Sequence, residues 1–315
     1  LTLLISLIFT FTFITIFTYM NFLERKYYQL LSKFLNNKPN QVEAYLKTHF
    51  YLKNKRHLNL EQPKEFADKI QWLKLNLYKQ DYQKYVDKFE VRDFIKEKIG
   101  EKYLNDLIEV YDNVEAINLN DLPNKFVLKG THGSGYNIIV KDKAQLNWDD
   151  AKLKLKKYIN TNYFNKYKEY IYKDIKPRII AEKYLDQLDN DHIVDYKFMC
   201  FHGVPKYIHV KTFEDDRIKE TYYTIDWKKI EPEAITQNHL KQTIEKPENF
   251  EEMVRLSKIL SKDFIFIRVD LYAIGSKVYF GELTFFHKGG MKRNYIESLN
   301  KKMGNLIKLP IQVDA

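Results

Sequence analysis

The stretch RVDLYAIGSKVYFGELTFFHKGG, Arg268 to Gly290, constrains the fold of this chain more than any other. Apolar residues alternate up to Gly275-Ser276 and resume beyond it, ending in Glu282-Leu283-Thr284, which predicts an antiparallel hairpin. Side chains in such a pair alternate with period two, and directly opposed residues share a face. A two-residue Gly-Ser turn would set Asp270 against Gly281 and send Glu282 to the opposite face. A three-residue loop, Gly275 to Lys277, would pair Ile274 with Val278, Asp270 with Glu282 and Arg268 with Thr284. Both loop lengths are common. The second gathers two carboxylates and an arginine on one face, and it is the expected register. Carboxylates so close repel unless a cation lies between them, and hard oxygen ligands favour magnesium. The same residues also suit a surface hairpin with one solvated polar face.

The 315 residues suffice for one large domain or two to three smaller ones. Apolar residues make up 44% and charged residues 30%, a globular rather than a disordered composition. Cys200 is the one cysteine, so no intrachain disulfide can form, and its apolar surroundings predict a small buried hydrophobe. The formal charge of +10 suits an anionic partner, or reflects a lysine-rich coding bias. No basic block with interleaved aromatics points to nucleic acid.

Residues 1–23 carry no charge, and the first charges are Glu24, Arg25 and Lys26. A helix of that length spans roughly 34 Å, enough for a bilayer core of about 30 Å. A transmembrane anchor is therefore expected, and Arg25, Lys26 and Lys33 place the remainder on the cytoplasmic face of the membrane. Residues 24–103 read as a small helical module. Pro63 is expected to open a helix with Phe66, Ile70, Leu73 and Leu77 at helical spacing. A second helix carries Val91, Phe94, Ile95 and Ile99 and stops at Gly100. Asp87, Lys88 and Arg92 read as a solvated face whose ion pairs contribute little.

From Leu104 onward the texture changes to short strands. Phe126–Lys129 and Tyr136–Val140 flank Gly130-Thr131-His132-Gly133-Ser134-Gly135. Backbone N–H groups of a glycine-rich loop can approach phosphate oxygens, although ordinary hairpin turns share this composition. The loop is neither a Walker loop nor a nucleophile elbow. His132 has no partner histidine at ligand spacing and reads as a loop packer or a phosphate donor. A strand from Arg178 to Leu185 ends in Glu182-Lys183-Tyr184-Leu185 and is followed by an acidic loop. In the strand Val194–Phe201, Asp195 and Lys197 share a face, and Gly203 turns into Pro205–Phe213. A helix near Phe250–Leu260 leads into the opening hairpin. Antiparallel strands interspersed with helices define an α+β fold.

Several stretches taken together resemble the TupA-like family of the ATP-grasp superfamily, which is associated with teichuronopeptide and surface-polysaccharide biosynthesis. They are NLEQPKEFADKIQWLKL, VDKFEVRDFIKEKIG, LPNKFVLKGTHGSGYNIIVKDK, RIIAEKYL, DYKFMCFHGVPKYIHV and RVDLYAIGSKVYFGELTF, in that order, over roughly residues 57–300. The resemblance implies an ATP-grasp fold in which two α+β subdomains, 104–185 and 186–315, clasp ATP. It implies that Lys129 contacts the phosphates while Thr131, His132, Gly133, Ser134 and Gly135 close over them. Glu182, Lys183, Tyr184 and Leu185 would form the hinge against which adenine lies. Lys197 would be a second basic contact, Asp270 and Glu282 would hold Mg²⁺, and Arg268 would balance charge on the transferring phosphoryl group. The wider superfamily reads Glu-x-Asn where this chain has Glu282-Leu283-Thr284, and Thr284 is the poorer metal ligand.

The implied reaction joins a carboxylate to an amine through an acyl phosphate. Positioning, Mg²⁺ and cationic side chains suffice for it, and no Ser-His-Asp or Cys-His set is recognisable. A carboxylate-bearing sugar or amino acid, on a lipid-linked glycan, is the expected partner besides ATP. Two other readings start from other features. Asp189-Asn190-Asp191 is a D-x-D triplet of the kind that chelates a metal on a nucleotide-sugar, which would make the chain a glycosyltransferase. A nucleotide-binding protein without catalysis is the third.

Overall fold

A computed structural model describes residues 22–310 except 37, 39, 186–193, 215–216, 292 and 295. The expected anchor thus lies almost wholly outside the described residues. Among those described, no helix is long and apolar enough to cross a membrane.

The amino-terminal module is helical from its start. Helices α1 (22–35) and α2 (Val42–Asn54) occupy a polar and aromatic segment, and α2 buries Val42, Tyr45, Leu46 and Phe50 at helical spacing. Helix α3 (Phe66–Asn76) begins three residues after Pro63 rather than at it, with Glu65 still extended. The cause is tertiary. A Cβ on Gly304 would lie 2.3 Å from the Lys64 carbonyl oxygen, so α8 (Glu297–Leu306) is seated directly on backbone that a longer α3 would displace. Helix α4 (Val91–Lys98) ends as the sequence requires, before Gly100 at φ +106°.

The first sheet has the order β1-β4-β2-β3, from Leu107–Tyr111, Phe126–Gly130, Asn137–Val140 and Ile179–Lys183 in chain order. It packs against α5 (Trp148–Ile159), with Phe126, Leu128, Leu155, Ile179 and Ala181 in its core. The second sheet has the order β10-β9-β5-β6-β7-β8, with β5 at Asp195–Phe201, β6 at Val204–Glu214, β7 at Arg217–Thr224, β8 at Lys229–Ile230, β9 at Phe266–Ile274 and β10 at Lys277–Thr284. All pairings in both sheets are antiparallel. Between β8 and β9, helix α7 (Phe250–Ser261) packs Phe250, Met253, Leu256 and Leu260 into the main core. Cys200 is fully buried there, and burial pushes its thiol up to about 12.

Strands β9 (Phe266–Ile274) and β10 (Lys277–Thr284) form the hairpin read from the sequence, by a different route. Ile274 faces Lys277, so the turn has two residues, Gly275 and Ser276, and not the expected three. The register then shifts between Phe280 and Glu282, which restores Asp270 opposite Glu282 and Arg268 opposite Thr284. A β-bulge inserts one unpaired residue and flips the facing of those beyond it. Gly281 is that residue. A Cβ there would sit 2.8 Å from the Tyr272 ring and 3.1 Å from the Asp270 carbonyl oxygen. Gly281→Val should therefore cost about 1–3 kcal/mol in equilibrium urea unfolding by overpacking against the ring. An unchanged midpoint would mean that the bulge does not need glycine.

Candidate active site

Cross-strand register, more than any local motif, assembles the polar face of the second sheet. Glu282 opposes Asp270, Asp270 opposes Lys197, Lys197 opposes His209, and His209 opposes Tyr222. These five residues form one row across five strands. Two residues along, Asp195, Lys211 and Glu220 form a parallel row on the same face, and Arg268 lies on the other side beside Thr284.

Asp270 is the most enclosed charged member at 1% exposure. It accepts from Arg268 Nε at 2.6 Å, Arg268 Nη2 at 2.7 Å and Lys197 Nζ at 2.6 Å. Burial alone would raise its pKa, but Arg268 and then Lys197 hold it down to about 2. Lys197 also pairs with Asp195 at 3.0 Å, so the same-face ion pair read from the sequence exists alongside the Asp270 contact. Arg268 Nη2 reaches Glu282 Oε1 at 2.8 Å, and the Thr284 hydroxyl donates to the same oxygen at 3.1 Å. Glu282 Oε2 takes part in neither bond.

Behind Arg268 runs a chain of hydrogen bonds with a fixed direction. Arg268 Nη1 donates to His287 Nδ1 at 3.2 Å, so His287 is neutral with its proton on Nε2. That nitrogen lies 3.1 Å from the Tyr222 hydroxyl, which donates in turn to Asn294 Oδ1 at 2.7 Å. Burial, then the neighbouring His209 and cations, pushes His287 well below its usual value. His209, driven to about 4 by burial, lies with Nε2 3.1 Å from Glu220 Oε2, and Lys288 meets the other Glu220 oxygen at 2.7 Å.

The first sheet supplies the facing wall. Lys129, on β2, pairs with Glu182 Oε2 at 2.6 Å, and Arg92 of α4 approaches Glu182 Oε1 at 3.3 Å. The reading of Asp87, Lys88 and Arg92 as a solvated face is overturned. Asp87 is fully buried and Arg92 is 9% exposed. Asp87 Oδ1 accepts from the Phe89 and Glu90 amides ahead of α4. Lys88 joins the module to the glycine loop: its amide donates to the Thr131 carbonyl at 3.2 Å, and its ammonium bonds the Gly133 carbonyl. Burial lowers the Lys88 pKa. Local periodicity could not show this, because the contacts arise where α4 folds across the cleft.

Two cavities meet at Glu282. One lies between the sheets and is lined by Lys88, Arg92, Lys129, Glu182, Tyr272 and Glu282, with Val91, Leu104, Leu185 and Phe280 as apolar surface. The other, about 470 Å³, is lined by Ser134, Lys197, His209, Glu220, Arg268, Glu282, Thr284 and Lys288 among others. Of the expected site residues, Lys129, Glu182 and Leu185 reach the first, and Ser134, Lys197, Arg268 and Thr284 reach the second. Thr131 and His132 are buried and line neither, and His132 Nε2 lies 2.8 Å from the Tyr158 carbonyl oxygen. Gly133 and Gly135 also line neither. Lys183 is exposed beside Asp106, and Tyr184 is buried away from both cavities. No sequence motif includes His209, Glu220, His287 or Lys288 as site residues. The alternation of His209 with Lys211, and of Glu220 with Tyr222, was the available signal. The D-x-D triplet, Asp189 to Asp191, lies outside the described residues.

Among the described residues, no group of three or more His, Cys, Asp or Glu side chains could hold a metal. Magnesium characteristically takes one or two protein carboxylates and completes its shell with substrate phosphates and water. Glu282, at the meeting of two cation-lined cavities, fits that donor set. Asp270 is opposed to it on the same face but lines neither cavity, and both its oxygens accept from Arg268 and Lys197, so it would have to exchange one of those contacts to reach a metal. Thr284 already donates its proton to Glu282 and adds little to it.

The chain belongs to the TupA-like ATP-grasp family, whose model matches residues 68–308. No curated protein matches it significantly. Among solved structures it is similar to a D-alanine–D-alanine ligase from Bacillus anthracis, at 18% identity over 64% of this chain and 57% of that one, with a TM-score of 0.37. The ATP-grasp ligase PsnB, complexed with a phosphomimetic precursor variant, Mg and ADP, gives 11% identity over 76% and 64%, with a TM-score of 0.41. A RiPP-associated ATP-grasp ligase from Chryseobacterium gregarium, bound to ADP and a leader and core peptide, gives 10% over 84% and 67%, with a TM-score of 0.35. The chain thus spans less than two thirds of the ligase and PsnB chains.

Proposed function

We propose that the protein is an ATP-dependent carboxylate–amine ligase that works through an acyl phosphate. The observation that carries this reading is the position of Glu282, shared by a cleft with Lys88, Arg92 and Lys129 and a second cavity with Arg268 and Lys197. In this reading the apolar walls of the first cavity take adenine, and Lys129 and Lys88 face the phosphates. The second cavity takes the acceptor, a sugar or amino acid bearing a carboxylate, as in a surface glycan or teichuronopeptide. Mg²⁺ held by Glu282 and Asp270 would neutralise phosphate charge and align the γ-phosphoryl group.

The chain's own residues then have separate tasks. Arg268, clamped by Asp270 and His287, presents a guanidinium fixed in one orientation beside the place where phosphoryl charge spreads. Lys197 remains charged because Asp270, Asp195 and Glu282 together outweigh its burial, and it attracts the acceptor carboxylate. The Lys88 tether sets how far the loop of residues 131–135 can move. Residues 1–23 would hold this machinery at the cytoplasmic face of the membrane, near lipid-linked glycans.

Thermal unfolding with and without ligand tests the nucleotide assignment. Mg·ATP at a hundred times its Kd should stabilise the protein by about 2.7 kcal/mol, and Lys129→Met should remove most of that increment. Stabilisation by a UDP-sugar with Mn²⁺, and none by Mg·ATP, would favour the glycosyltransferase reading instead.

A further inference from the structure

Helix α1 has one occupied face and one open face. Tyr28 stacks on Tyr51 of α2 with ring centroids 4.3 Å apart, Glu24 accepts from the Tyr51 hydroxyl at 2.7 Å, and Ser32 meets His49 at 3.2 Å. Leu35, near its end, is buried. The opposite side shows Phe22, Leu23, Tyr27, Leu30 and Phe34, each between 47% and 66% exposed. At 100° per residue, Leu23, Tyr27, Leu30 and Phe34 fall within an arc of about 60°. Lys26 and Lys33 run along one border of that arc. Lys26 Nζ lies 5.7 Å from the Phe22 ring centroid, and Lys38 Nζ lies 5.3 Å from that of Phe34. The helix has one acidic residue, Glu24, and it faces inward.

A soluble surface seldom concentrates large apolar side chains in this way, and a basic border beside an apolar stripe is the pattern of a helix at a lipid interface. Residues 1–21, which lead directly into α1, carry no charged side chain. We propose that the outer face of α1 rests in the interfacial layer of an anionic bilayer, with Leu23, Tyr27, Leu30 and Phe34 in the acyl boundary and Lys26 and Lys33 at the headgroups. A second copy of the chain suits this face less well, because a two-fold contact would set the lysine border against its own equivalent.

Site-directed spin labels on the full chain in phosphatidylcholine–phosphatidylglycerol vesicles test this. Cys200 is buried and can stay in place. Labels at positions 23, 30 and 34 should be relaxed by oxygen and shielded from a water-soluble nickel chelate, and labels at 25 and 29 should show the reverse. Lys26→Glu combined with Lys33→Glu should abolish the oxygen preference at position 30, and its persistence would remove the electrostatic half of the proposal. Chelate access at 23, 30 and 34 would overturn the proposal by showing a solvated face. Dipolar broadening between labels would overturn it in favour of a second copy. Shielding from both reagents would do so by showing that the chain covers the face itself.

Discussion

Glu282→Gln should reduce phosphate release from Mg·ATP, measured with an accepted carboxylate, by about 10³-fold or more while leaving the fold intact. The substitution keeps the side chain's shape, and the amide oxygen can still accept from Arg268 and Thr284. What it removes is the negative charge at the junction of the two cavities. The Glu282 side chain is 36% exposed, so the Arg268 contact contributes at most about 1 kcal/mol after solvent screening. Activity should therefore collapse with little movement of the unfolding midpoint. Full turnover by the variant would remove Glu282 from the site. A parallel loss of stability would make its role structural.

Asp270→Ala should behave differently, losing stability as well as activity. Removing one member of a buried, hydrogen-bonded charge group costs about 3–5 kcal/mol, because the remaining charges have no compensating partner. Arg268 keeps Glu282, and Lys197 keeps Asp195, so the lower end of that range is expected. Acid unfolding adds a second signature. The Asp270 pKa falls from 3.8 in the unfolded reference to about 2 in the fold. Its contribution is therefore complete above about pH 4 and is lost as pH falls toward 2, a change of about 2 kcal/mol. Urea midpoints compared at pH 7 and in that acid window should show wild type losing this increment and the variant lacking it throughout. Equal acid sensitivity in the two would show that Asp270 is not held down by Arg268 and Lys197.

Much of the site could be read along the chain, because strands write their facing into sequence with period two. Arg268, Asp270 and Glu282 announced a polar face, as did Asp195 and Lys197. The glycine loop between Phe126 and Val140 marked a second wall with Lys129 at its edge. What escaped were features set by sums of local choices or by distant contacts. The right pairing of Asp270 with Glu282 came from a two-residue turn plus a bulge, two deviations with the same net register as one longer loop. Lys88 and Arg92 looked solvated because nothing within one helix shows that α4 lies across a cleft. His209 joined the row through β6, and Tyr222 and Glu220 extended the two rows only through β7, strands whose pairing depends on two further turns. Helix α1 was hidden because aromatic residues such as Tyr28 pack on Tyr51 of α2, and the stripe Val42, Tyr45, Leu46 and Phe50 that α2 buries is diluted by polar and aromatic neighbours.

The central claim is that one cleft carries ATP to a carboxylate. Its most direct test is the fate of oxygen in turnover with ¹⁸O-labelled carboxylates, uronic acids and amino acids, offered together with amines. An acyl-phosphate ligase must transfer one carboxylate oxygen to the released phosphate, so labelled phosphate should appear in step with amide. Amide formed with unlabelled phosphate, or phosphate carrying oxygen only from water, would contradict the account.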